Sequence, residues 1–286
     1  MIRYVLPALY AVLVWWASTG LVLYIVGRPR RTYAATIAAA TLVLALALVG
    51  LASSSTDTGM WGGFVAFTCA IAVWGWHEVS FLTGLVTGPR VKPLPADARG
   101  LERFLAAAAT LLHHEVAIAL TVPLIMVVVG DGPNQIGLYT FLILWLARLS
   151  TKMNVFLGVP NLTIEFLPDH LDYLKSYFRY RAMNELFPLT VTATTIATVK
   201  IAESALAAPT AAGAAGISLV ATLAALAVLE HWFLVLPLPS AKLWEWGMRS
   251  RDTRIGTAAV SKDDEDDSIT TCPTPVTPDK ALGALA

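Results

Sequence analysis

Ionisable residues lie inside otherwise apolar stretches at four places in the chain. They are His77-Glu78, His113-His114-Glu115, Arg148 with Lys152, and Glu230-His231. Charged groups within lipid are costly and mark functional or paired positions. These residue types support three kinds of chemistry. Glu78, Glu115 and Glu230 set against Arg148 and Lys152 make a buried ion-pair network, with the histidines hydrogen-bonding between them. Arg148 and Lys152 are four apart and share a helix face. His77, His114, Glu115 and His231 read alternatively as ligands of a metal ion. Adjacent residues on a helix point about 100° apart, so each helix would supply roughly one ligand. The Glu-x-x-His spacing of di-iron bundles is absent. A third reading makes one histidine the axial ligand of a tetrapyrrole. His113, with Ala109 and Ala117 one turn to either side, leaves the most room for a macrocycle. The sequence leaves these three open.

The elements that must position these residues are transmembrane helices. Hydrophobic residues make up 56% of the 286 and charged residues 14%, where a soluble domain carries about a quarter. Mean hydropathy is +0.65. A span needs about 20 predominantly apolar residues. Seven segments qualify: Val5–Gly27, Ala34–Ser53, Trp61–Thr83, Phe104–Val129, Gly137–Gly158, Leu186–Ala207 and Ala214–Leu238. The sixth is the weakest, since it holds Lys200, Glu203 and several threonines. With a rise of about 1.5 Å per residue, His77 and His231 lie roughly 10 Å from one end of the bundle. By the same count His113 and Arg148 lie roughly 14 Å from that end.

Basic residues fall in alternate loops. Arg28, Arg30 and Arg31 occupy the first, Arg90, Lys92, Arg99 and Arg103 the third, and Lys175, Arg179 and Arg181 the fifth. Lys242, Arg249, Arg251 and Arg254 follow the last span, and the even loops contain no Lys or Arg. The positive-inside rule therefore predicts an outside amino terminus and a cytoplasmic carboxyl terminus. The expected fold is an all-α integral membrane protein, a bundle of seven transmembrane helices over 1–247. A disordered acidic, proline-containing tail is expected over 248–286. In Phe166–Phe178, Leu167, Leu171, Leu174 and Phe178 recur at helical spacing, which predicts a short amphipathic cytoplasmic helix on the membrane surface or on a partner. Trp15, Trp16, Trp61 and Trp244 fit interfacial anchoring or lipid contact. Cys69 and Cys272 have no pairing or metal-ligand spacing. No Walker loop, dinucleotide fingerprint, zincin motif or nucleophile elbow occurs. The zero net charge gives no basic excess for nucleic acid.

Four stretches also carry a likeness. Trp76–Gly84 with Thr87-Gly88-Pro89-Arg90, Ser150–Asn161, Phe166–Phe178 and Met183–Pro188 resemble the photosynthetic complex assembly protein 2 family, of the PuhE type. The resemblance runs from about residue 5 to about 245. It implies the inner or intracytoplasmic membrane of a bacterium making bacteriochlorophyll-based photosystems. It further implies a role in assembling reaction-centre and light-harvesting complexes, or in regulating their pigment supply. The partners implied are those complexes' subunits or pigment-synthesis enzymes, and the cofactor class left open is bacteriochlorophyll or a precursor. It brings no catalytic residues and no established enzymatic activity. The competing expectations are an intramembrane metal-dependent enzyme acting on a tetrapyrrole or lipid, and a small-solute or ion transporter.

Overall fold

A computed structural model describes residues 2–162 and 164–250. Seven long helices follow in chain order: α1 (Ile2–Val26), α2 (Tyr33–Ser54), α3 (Met60–Leu82), α4 (Gly100–Val129), α5 (Ile136–Leu157), α6 (Leu186–Ala207) and α7 (Ala211–Phe233). Their ends fall within a few residues of the expected spans. Six are long and apolar enough to cross a membrane. The exception is α6, which Lys200, Glu203 and its threonines make less apolar. Most of the α6 polar groups are nonetheless satisfied within the helix. Thr194, Thr195 and Thr198 donate to the carbonyls four residues back, and Lys200 Nζ lies 2.8 Å from Glu203 Oε2.

Burial sorts the helices. More than half of the apolar window is buried in α3 and α7, against 11% in α2. The centre of the bundle is therefore α3 and α7, with apolar surfaces of the other helices turned outward. Small residues permit the tight central packing: Gly63 of α3 faces Gly216 of α7 so closely that an added Cβ on Gly63 would lie 3.3 Å from Gly216 Cα. Phe67, Leu219 and Leu223 fill the space beside them.

The loops gather at two ends. Two of the base-free connections, those after α2 and α4, meet at Asn134, whose Nδ2 donates to Ser54 O at 2.9 Å. The basic connections meet at the opposite end. There Arg103 does more than mark topology: Nη2 donates to Phe156 O and Tyr177 O, each at 2.8 Å, and its guanidinium lies 3.9 Å from the centroid of the Phe156 ring. Three asparagines brace the same end. Asn184 Oδ1 accepts from the N–H groups of Leu186 and Phe187 at the start of α6, while its Nδ2 donates to Asn154 Oδ1 and Gly158 O. Asn161 Nδ2 donates to Phe233 O and Leu236 O at the end of α7.

One sequence expectation is corrected here. The segment after α5 forms two short 3-10 helices, Ile164–Phe166 and Asp169–Tyr177, in place of an α-helix. With three residues per turn the buried face becomes Leu171, Leu174 and Tyr177. That face does not lie on a membrane surface or await a partner. It packs on Val26, Phe81 and Leu82 of the bundle itself. At the other edge of the described chain, residues 245–250 are helical, Met248 packs on the core and Ser250 Oγ donates to Tyr24 O. The rest of the expected acidic tail, 251–286, lies outside the described residues.

Candidate functional site

Side chains of α1, α3, α4, α5 and α7 line a partly open cavity of about 360 Å³, and Leu174 and Tyr177 of the 3-10 segment also stand in its wall. Its walls are largely aromatic and aliphatic, with Trp15, Trp74, Phe81 and Trp244 among them. Trp15 and Trp244 are buried, their rings in edge contact at 5.1 Å, which corrects the expectation of interfacial anchoring for this pair. Trp61 stays exposed.

Five of the nine singled-out polar residues line the cavity: Glu78, His114, Arg148, Lys152 and Glu230. Their helices bring them together because each lies a few turns from the basic end. Arg148 Nε sits 3.4 Å from Glu78 Oε1. Lys152 Nζ, one turn further along α5, sits 2.6 Å from Glu115 Oε1, and Trp145 Nε1 donates to the other oxygen of Glu115 at 3.3 Å. Glu230 Oε1 accepts from Trp15 Nε1 at 2.7 Å. Two cations and two carboxylates therefore share one intramembrane chamber, with Glu115 beside it, and each of the three carboxylates is held by a donor from another helix.

The histidines divide. His231 Nδ1 lies 2.7 Å from Ala227 O, and a carbonyl only accepts, so this nitrogen carries the proton. In the neutral ring Nε2 then accepts from Ser150 Oγ at 2.8 Å, which leaves His231 no free lone pair. His77 Nε2 lies 3.0 Å from Thr121 Oγ1, whose own proton goes to Ala117 O at 2.9 Å. His77 Nε2 is thus the donor, and its Nδ1 is a buried acceptor with no partner among the described residues. His114 is likewise buried with Nδ1 unpartnered, its ring 6.3 Å from that of His77 and 4.7 Å from that of Phe81.

His113 does not join the cluster. One residue before His114, it is turned about 100° away and is exposed on the outer surface of α4. The small neighbours that favoured it in the sequence sit on the wrong face for the chamber. Nor do His77, His114, Glu115 and His231 converge: among the described residues no three His, Cys, Asp or Glu side chains could hold a metal ion. Glu115 is taken by Lys152 and His231 by Ser150 and Ala227.

The loop Thr87-Gly88-Pro89-Arg90, expected as a helix-exit turn, also grips α4 beside the histidines. Arg90 N–H donates to Ala109 O at 3.2 Å, and His114 N–H donates to Thr87 O at 2.9 Å. Gly88 makes that approach feasible, since an added Cβ would lie 2.8 Å from Leu111 N and closer still to Ala109 O. Sequence reasoning passed over Thr151, a cavity residue whose buried Oγ1 has no partner among the described residues. Its signal was available: Thr151 lies three residues after Arg148, on the same face. Outside the spans, His170 of the 3-10 segment is held below the usual histidine range, by burial first and then by Arg30.

Fold and site define a polytopic α-helical membrane protein with an ion-paired intramembrane chamber. A family model described as Protein of unknown function (DUF3623) matches residues 1–255, and the chain belongs to that family. It is similar to the uncharacterized 30.4 kDa protein in the puhA 5′ region of Rhodobacter capsulatus, 42% identical over 258 residues, which cover 89% of this chain and 94% of the relative. No solved structure matches.

Proposed function

We propose that this protein is a membrane assembly or regulatory factor for bacterial photosynthetic complexes, acting on reaction-centre or light-harvesting subunits or on their bacteriochlorophyll supply. The observation that carries the proposal is the near full-length likeness to a Rhodobacter capsulatus protein whose name sets it in the puhA 5′ region. The likeness of Trp76–Gly84 and Ser150–Asn161 to the PuhE-type assembly family points the same way. The geometry is in keeping with it. An apolar bundle with a ring-lined chamber and a braced basic end suits contact with other membrane subunits and their pigments better than solution chemistry. Nothing in the arrangement of His77, His114, Glu115 and His231 favours the metal-dependent enzyme reading over this one.

In this proposal the protein lies in the inner or intracytoplasmic membrane with all seven helices spanning. The basic loops, gathered at one end, face the cytoplasm with the carboxyl terminus, and the amino terminus is periplasmic. Affinity purification from phototrophically grown cells in mild detergent tests the role. Reaction-centre or light-harvesting subunits, or pigment-synthesis enzymes, should copurify, with the absorption of bacteriochlorophyll or a precursor. Recovery of the protein with none of these would count against it.

A further inference from the structure

The chamber contains more hydrogen-bond donors than its own residues use. Arg148 has five N–H donors. Among the described residues its ion-pair contact is the one from Nε to Glu78, and 40% of its side chain stays accessible. Arg148 lines the cavity, whose wall is mostly aliphatic and aromatic. Thr151, one turn on, adds a buried hydroxyl with no partner among the described residues. A hydroxyl in a helix commonly bonds the carbonyl four residues back, as the α6 threonines do, and Thr151 does not. Unpaired polar groups in such surroundings are costly unless a ligand or water meets them.

Charge and shape narrow what that ligand is. The cavity lining carries two carboxylates, Glu78 and Glu230, against two cations, Arg148 and Lys152, and Glu115 pairs with Lys152 beside it, so an added anion finds no net positive charge to neutralise. A neutral oxygen acceptor needs none. The aromatic walls suit a flat conjugated ring, which stacks or packs edge-on against Trp and Phe. The volume of about 360 Å³ is within the roughly 300–1,000 Å³ of pockets that enclose a small molecule.

We propose that this cavity binds a neutral, membrane-soluble conjugated ring compound bearing carbonyl groups, whose oxygens accept from Arg148 and Thr151. Two sources supply that chemistry: an isoprenoid quinone of the bilayer and an esterified tetrapyrrole. The inference stands on the cavity and goes beyond the assembly role, which the copurification experiment tests separately.

The test is tryptophan fluorescence of the full-length protein in detergent, titrated at fixed micellar mole fraction with decylubiquinone, protoporphyrin dimethyl ester or oleate. Trp15, Trp74 and Trp244 report on the cavity wall. One of the two ring probes should quench saturably at about one per chain, and which one does so names the source. Oleate, an anionic chain, should not compete. Thr151→Val, which keeps shape and loses one hydrogen bond, should weaken binding about 5- to 10-fold. Arg148→Lys keeps the charge opposite Glu78 but loses the planar donor edge, and should weaken it at least as much. The proposal is overturned if neither ring probe saturates, if oleate displaces the bound ring, or if both variants bind as the parent does.

Discussion

Arg148 of α5 and Glu78 of α3 meet at 3.4 Å inside the membrane region, and both line the chamber. The pair is therefore a hinge between packing and function, and the two halves can be separated by mutation. Arg148→Leu strands Glu78 and should destabilise the protein by about 1–3 kcal/mol, a partly accessible pair costing less than a fully buried one. Protonation of the stranded carboxyl limits the loss. Adding Glu78→Gln should recover part of it. Thermal unfolding in detergent across the two singles and the double gives the coupling; strict additivity would mean the two side chains do not interact.

The glycine at 88 allows the loop to lie on α4. Gly88→Ala would push a methyl into backbone atoms of Ala109 and Thr110 that cannot move cheaply, and should cost about 1–3 kcal/mol, as overpacking does. Gly75→Ala is the matched control, since nothing lies within 4 Å of its added Cβ. Equal stability of the two variants would mean that the loop does not dock as described.

A pH dependence follows from His170. Burial and then Arg30 lower its folded-state value, so the unfolded chain binds the proton more readily. Stability is full above the unfolded value of about 6.5 and is lost as pH falls from there toward the lower folded value. Thermal unfolding of the parent should weaken over that window more than that of His170→Gln. Parallel curves for the two would remove His170 from the account.

Reporter fusions test the membrane arrangement. Fusions after Ser54, Asp131 and Pro209 should report the outer side, and those after Arg99, Lys175 and Lys242 the cytoplasm. The fusion at Pro209 decides whether α6, the least apolar helix, spans. A cytoplasmic signal there would leave six spans.

Much of the fold was legible in the sequence because lipid makes helix length and apolarity nearly obligatory. The basic loops supplied the alternation that the doubtful α6 could not. The site was legible only as a set of depths. Rise per residue places His77, His113 and Arg148 at similar levels, but azimuth decides which face each other. His113 and His114 differ by one residue and end on opposite sides of that question. The tryptophans misled for the same reason, since Trp15 and Trp16 are adjacent and only Trp15 is buried. The segment Phe166–Phe178 showed the right apolar residues with the wrong period. Its 3-10 hydrogen bonding is set by docking on Val26, Phe81 and Leu82, which no local pattern encodes.

The central claim is the proposed role in the assembly or pigment supply of photosynthetic complexes, and one measurement addresses it most directly. A phototrophic strain lacking this gene is complemented with the wild type or with Thr151→Val and Arg148→Lys, at matched membrane levels of the protein. Whole-membrane near-infrared spectra then quantify mature reaction-centre and light-harvesting complexes. The account predicts a marked loss of those bands in the deletion strain, recovery with the wild type, and incomplete recovery with the chamber variants. Unchanged bands in the deletion strain would contradict it, and full recovery with both variants would separate the chamber from that role.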